Sequence, residues 1–278
     1  MFSDSYPYLP LWLVTLLFFL LLMAAQQFGM YLRRRHDVAA RSAPQGAAKD
    51  DDKEHDGFAV NSVLGLLALL IGFTFSLALG RYDSRRELVV QEANALGTTW
   101  LRTDLLEAAD RARAQEVLRR YVDSRVMFGD ARTSREELAR YQDTEVLQNE
   151  LWNVMVQSTA AFKDTPRASL VITTTNDSID LAAERLATRE AHIPTRILRL
   201  LLLFAVLTAA LVGFVRAHQP RASALLLLLF TLAVGLVLDL DRPSSGMINV
   251  PQQPMLDLQR SMQGASPAPS AATPAPAS

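Results

Sequence analysis

The stretch "LLALLIGFTFSLALGRYDSRRELVVQEANALGTTWLR" (residues 66–102) begins as an apolar helix suited to lipid and ends as a charged helix suited to water. No proline and no Asn-Gly pair marks the change at Gly80. Residues 57–80 carry no charge, which meets the about 20 apolar residues that a helix needs to cross the hydrocarbon layer. Beyond them Leu88, Val89, Ala93, Leu96, Trp100, Leu101 and Leu105 recur mostly at steps of three and four, the spacing of one helical face. The expectation is a single helix that leaves the membrane without stopping.

The rest of the 278-residue chain reads outward from that helix. Half of the residues are hydrophobic and the net charge is −1, averages that hide strong segregation. Residues 5–32 are uncharged, as are Leu200–Val215 and Ala222–Leu238. The third run reaches spanning length when Arg196 and Arg199 extend their guanidinium groups to the interface, and the fourth by continuing to Asp239. Four spans follow, the last two joined as a hairpin across "RAHQPR" (216–221). Met1–Leu9 lacks Lys and Arg, so the first run reads as a span rather than a cleaved leader.

No proline occurs between Pro44 and Pro166, which suits long helices. One is expected from about Glu107 to Phe128, with "GDARTS" (129–134) as the turn after it. Ser134 then caps the next helix, with Glu137 at capping-box spacing. "KDTPRAS" (163–169) breaks that helix, and another carries Leu170, Ile172, Ile179, Leu181 and Leu186 towards Ile193–Pro194. Strand alternation is absent. The expected fold class is an all-α membrane protein with four transmembrane helices and a helical soluble domain between spans two and three. Its parts are a first transmembrane helix (1–32), a charged, flexible loop (33–56), a second transmembrane helix (57–80) and the soluble domain (81–195). A transmembrane hairpin (196–241), a post-membrane segment (242–262) and a disordered Pro/Ala tail (263–278) complete the chain.

Composition removes several chemistries. The chain has no cysteine, which excludes disulfides, thiolate metal sites and a cysteine nucleophile. His36, His55, His192 and His218 lie far apart, none with a partner at ligand spacing, so no metal or cofactor is expected. There is no Walker loop, Rossmann fingerprint or nucleophile elbow, and the chain is not read as an enzyme. Arg111, Arg113, Arg119 and Arg120 are interleaved with acids, a solvated helix surface rather than a nucleic-acid patch. No span carries an acid or base away from its ends, as proton relays and ion-coupled transporters usually do.

Span two carries an ordered row of small residues: Asn61, Gly65, Ala68, Gly72, Ser76 and Gly80. Small residues on one face let helix backbones approach closely in lipid. The row serves either packing within one subunit or packing of identical helices around an axis. Phe73 and Phe75 flank it on opposite sides; either faces lipid, or Phe73, with Leu69 one turn before, narrows a central passage, since apolar constrictions gate by dewetting. Two polar segments, "GRYDSRRE" (80–87) and "LDLDRPSSGMINVPQQPMLDL" (238–258), each follow an even-numbered span and so emerge on the same side. Arg81, Arg85 or Arg86 against Asp239 or Asp241 is the pairing to look for, with unpaired interfacial charge as the alternative.

In "GFTFSLALGRYDSRRELVVQEANALGT" (72–98) and "LDLDRPSSGMI" (238–248) the chain resembles the bestrophin-like domain family, bacterial and plant membrane proteins of unassigned function. The resemblance covers most of residues 57–258. A more distant similarity runs to the bestrophins, pentameric anion channels. Tyr82, Asp83 and Glu87 match a Tyr-Asp-x-x-x-Glu element after the second span, with Arg85 and Arg86 in place of its tryptophans. Gly72 and Phe73 match a Gly-Phe pair of the channel neck, Leu69 replaces a second phenylalanine, and Gly65 stands at the third bulky position. Asp239, Asp241 and Pro243 match an acid-x-acid-x-Pro pattern, Arg242 lies inside it, and "PMLD" (254–257) resembles the Pro-Leu-Asp that follows. The acidic calcium cluster of animal bestrophins has no counterpart, so no calcium site is expected.

The resemblance implies spans around a shared axis, with the second-span helix lining it and the helical domain in the cytoplasm. Two functions stay open. One is a homo-oligomeric, multi-pass protein of the inner membrane that conducts small anions. The other is a receptor, sensor or scaffold whose helical bundle binds a ligand or partner and signals through the first loop. The first places residues 81–195 in the cytoplasm and the second places them outside. Lys and Arg flanking the spans are equally numerous on the two sides, although "RRR" (33–35) favours a cytoplasmic first loop.

Overall fold

The structure, a computed structural model, describes residues 10–41, 51–216, 219–242 and 246–264. Every regular element among them is helical: α1 (Leu11–Arg41), α2 (Asp51–Arg102), α3 (Ala108–Asp130), α4 (Ser134–Thr159), α5 (Pro166–Glu190), α6 (Thr195–Val215), α7 (Pro220–Asp241) and α8 (Gln253–Gly264). Short 3-10 turns at Thr103–Leu105 and Ala160–Phe162 follow α2 and α4. Helices α1, α2, α6 and α7 hold stretches long and apolar enough to cross a membrane. This is an all-α membrane protein of the lipid bilayer.

Three details differ from the sequence reading. The charged loop assigned to 33–56 is largely helix, because α1 continues to Arg41 and α2 starts at Asp51. No proline interrupts "RRRHDVAAR", and Arg33 pairs with Asp37 one turn on, at 3.3 Å. Residues 42–50 lie outside the described residues, as do Pro243 and the tail after Gly264. The cap of α4 sits one residue earlier than expected. Thr133 Oγ1 accepts from the Glu136 amide at 3.2 Å, and Glu136 Oε2 accepts from the Arg132 amide at 3.1 Å. Thr133 and Glu136 have the same spacing as Ser134 and Glu137, and this frame leaves Glu137 free to turn inward. Helix α8 was not anticipated. Pro254 enters its first turn, where a missing amide costs nothing, and Met255 and Met262 are its buried positions.

The chain forms two compact units, residues 1–82 with 191–248 and residues 83–190 with 249–278. In the first, Leu22 and Ala25 of α1, Leu67 and Ile71 of α2, Leu201 and Ala205 of α6, and Leu227 and Val234 of α7 share one apolar core. Helix α1 packs chiefly on α6, and there the backbones meet. A Cβ on Gly29 would overlap the Ala210 carbonyl, and one on Gly213 would overlap the backbone of Gln26. In lipid such close packing, rather than the hydrophobic effect, drives helix association.

The second unit has its own core. Val89 and Leu96 of α2, Leu118 and Val122 of α3, Leu151 and Met155 of α4, Val171 of α5, and Met255 and Met262 of α8 are all buried in it. Each large aliphatic side chain buried from water stabilises such a core by about 1.5–3 kcal/mol. The buried row of α2 here runs Arg85, Val89, Glu92, Leu96 and Thr99, at steps of three and four. Two of its positions are charged.

Candidate functional site

Part of the small-residue row of α2 faces open space among the described residues. A Cβ added to Gly65, Gly72 or Gly80 would meet nothing within 4 Å, and Asn61, Ala68 and Ser76 are exposed. Leu69 and Phe73 stand on the same side of the helix, 52% and 64% exposed. Phe75 turns the other way and packs against Ala78, Ile193, Val237 and Leu240. The close crossing within the chain is made instead by Gly29 and Gly213, isolated glycines in leucine-rich spans, which the sequence reading passed over. Asn61 Oδ1 accepts from Arg216 Nη2 at 3.0 Å. Thr74 donates its hydroxyl to the carbonyls of Leu70 and Ile71, both at 2.9 Å, so that polar group is used within its own helix.

The signature residues divide between packing and turn formation. Tyr82 joins the apolar cluster of Phe75 and Ile193. Asp83 and Glu87 are exposed, and Glu87 Oε1 accepts from Gln91 Nε2 at 3.0 Å. Arg85 is buried and donates from Nε to the Thr188 carbonyl at 3.3 Å. After α7 the chain folds back over Asp239, whose Oδ1 accepts from the Met247 amide at 2.7 Å and Oδ2 from the Ile248 amide at 3.1 Å. A Cβ at Gly246 would stand 2.5 Å from Asp239 Oδ1, so the turn needs glycine for close approach. Asp241 Oδ1 accepts from the Ile193 amide at 2.8 Å. Both buried acids therefore hold backbone at the end of α7, and Arg242 beside them is half-buried.

A cluster that the sequence reading missed lies inside the second unit. Glu92 is 0% exposed and accepts from Arg125 Nε through one oxygen and from Arg185 Nη1, at 2.5 Å, through the other. Arg185 Nη2 donates to the Gln252 amide oxygen. Arg189 pairs with Glu137 at 2.5 Å and donates to the carbonyls of Phe128, Gly129 and Ala131 at 3.3, 3.4 and 3.3 Å. The Phe128 ring stands amid all three guanidinium groups, at 4.3 Å from that of Arg125, 4.8 Å from Arg189 and 5.5 Å from Arg185, within cation–π range.

The field of this cluster shifts its members. Burial alone would push the Glu92 carboxyl up, but Arg125 and Arg185 outweigh it and hold the group below its ordinary value. Burial, which Glu92 only partly offsets, and repulsion from Arg125 and Arg189 lower Arg185. Burial raises the Tyr121 phenol to about 12. Its hydroxyl accepts from Gln148 Nε2 at 3.1 Å.

The signal for this cluster was a charge on an apolar stripe: Glu92 between Val89 and Leu96, and Arg125 between Val122 and Val126. Arg113 and Arg120 are solvated as expected, whereas Arg119 stacks on Trp100 at 4.9 Å and donates to the Met262 carbonyl at 3.5 Å. Arg113 pairs with Asp110, and Arg120 grips Glu150 at 2.8 and 3.0 Å, at the surface. Among the described residues no group of His, Asp and Glu side chains is arranged to hold a metal ion.

The family model of the bestrophin-like domain matches residues 34–255, and the chain belongs to that family. Its fold is that of a bacterial bestrophin homologue from Klebsiella pneumoniae whose crystal structure is 16% identical in sequence, with a TM-score of 0.63, covering 91% of this chain and 99% of that one. A point variant of the Klebsiella homologue gives a TM-score of 0.61 at 17% identity, covering 90% and 98% of the two chains. A further crystal structure, described as of a membrane protein, gives 0.60 at 18% identity, covering 88% and 98%. No curated protein matches the chain.

Proposed function

We propose that this bestrophin-like membrane protein self-associates through the bare face of α2 and that the side bearing Leu69 and Phe73 lines an anion-conducting passage through the inner membrane. The observation that carries the reading is the open space beside Gly65 and Gly72 among the described residues, next to two large apolar side chains left exposed. Within the chain α1 and α6 already meet at Gly29 and Gly213, whereas the face of α2 at Gly65 and Gly72 is open to another copy. Leu69 and Phe73, one turn apart, form an unwettable section that denies ions their hydration. The choice of anions rests on the similarity of Gly72-Phe73 and of the Tyr82–Glu87 element to the bestrophin channels. The passage is not an active site, and no catalytic group takes part in it.

Purified protein in liposomes should carry chloride, and Phe73→Ala and Leu69→Ala should each raise the flux, because a smaller side chain widens the dry section. Absence of flux from all three, in vesicles shown to hold oriented oligomer, would overturn the channel reading in favour of the sensor. A reporter fused at residue 130 should be active in the cytoplasm; activity outside would do the same.

A further inference from the structure

We propose that Arg125 holds one small monovalent anion, of halide size, inside the helical unit of residues 83–190 and 249–278. Arg125 is 0% exposed. Its Nε is committed to Glu92, but Nη1 and Nη2 are both shut off from solvent and have no hydrogen-bond partner among the described residues. Guanidinium carries five N–H donors in one plane, and four of them are on those two nitrogens. Buried donors without an acceptor are costly, and charged ones more so. Stacking on Phe128 at 4.3 Å engages the face of the guanidinium group and leaves its edge unanswered.

Charge gives a second, independent deficit. The guanidinium groups of Arg125, Arg185 and Arg189 are faced by two carboxylates, Glu92 and Glu137. The remaining contacts of Arg185 and Arg189 are neutral oxygens, the Gln252 amide and three backbone carbonyls. The cluster therefore holds one positive charge in excess, and Arg125 and Glu92 at its centre are fully buried. A water molecule would accept the orphan N–H groups and leave that charge standing. A divalent oxyanion would overcorrect it. A single monovalent anion in the fork of Arg125 meets both deficits, and a halide makes no demand on geometry beyond donors pointing at it.

The inference is independent of any conduction by α2, because it concerns only the stability and occupancy of the helical unit. Full-length protein in detergent should unfold at a higher temperature, saturably, as sodium gluconate is replaced by sodium chloride or bromide at constant ionic strength. Sodium sulfate, which stabilises folded proteins by exclusion from their surface, should give a rise that does not saturate and that Arg125→Lys retains. Crystals grown in bromide should show an anomalous peak within hydrogen-bond reach of Arg125 Nη1 and Nη2. Arg125→Lys keeps the charge but loses the fork and should lose the halide-dependent part of the stability, while Arg120→Lys at the surface keeps it. A halide response unchanged in Arg125→Lys overturns the proposal. So does the absence of a bromide peak at Arg125 in the wild-type protein, a result that needs no variant to fold.

Discussion

Glu92 occupies a position on the buried stripe of α2 where an aliphatic side chain would ordinarily sit, and two guanidinium groups depend on it. Removing one partner of a buried ion pair leaves an uncompensated charge and costs about 3–5 kcal/mol. Glu92→Gln is therefore expected to lower the denaturant midpoint of the helical unit sharply, whereas Glu87→Gln, at an exposed position, should stay within about 0.5 kcal/mol of wild type. The pH dependence has a definite sign. A carboxyl held below its ordinary value in the folded state stabilises at all pH above that ordinary value and loses the contribution as pH falls through the depressed folded value. Stability should be flat with respect to Glu92 near neutrality and fall in strong acid, and the Gln variant should lack that part of the fall. Asp239 acts on backbone instead: Asp239→Ala strands the Met247 and Ile248 amides and should cost about 1–3 kcal/mol for each that stays buried, read by thermal unfolding. At this scale the sequence was half legible. A charge on an apolar stripe was visible at 92 and 125, but the partners of Glu92 lie 33 and 93 residues away, and no local pattern joins positions so distant.

Helices were more legible than their contacts. The continuity of α2 through Gly80 follows from the absence of any breaker; the break expected at 129–134 is confined to residues 131–133, because α3 runs on through Gly129 to Asp130. The cap of α4 slipped by one residue because two overlapping boxes fit, and only the inward pairing of Glu137 with Arg189 separates them. Helix α8 escaped notice because its stripe of Met255, Leu258 and Met262 covers little more than two turns. The glycines make a paired test. Gly213→Ala drives a methyl group into the backbone of Gln26, an overpacking that should cost about 1–3 kcal/mol and reduce the yield of folded protein. Gly72→Ala has free space in its own chain, so folding should be unaffected. Gly72→Leu should instead shrink the assembly measured by native mass spectrometry or light scattering in detergent. An unchanged mass from a folded Gly72→Leu protein removes the row from the subunit contact.

Each of the two units has a core of its own, and the forces that hold them differ. The helical unit relies on burial of apolar surface from water, which urea weakens; the membrane unit relies on packing in a solvent as apolar as its side chains. In detergent micelles urea should unfold the helical unit first. The three tryptophans report this separately, since Trp12 lies in the membrane unit and Trp100 and Trp152 in the helical one. Variants keeping only Trp12 should show a later transition than variants keeping only Trp100, and coincident transitions would refute separate cores. The partnership of α1 with α6 also bears on how the protein is made. Residues 42–194 must be synthesised before α6 begins to emerge, and through that interval the backbone at Gly29 lacks the Ala210 carbonyl it packs against in the folded chain. The first helix therefore waits in the membrane for a partner encoded far downstream, and a ribosome stalled anywhere between them releases a chain whose first span has nothing to close upon.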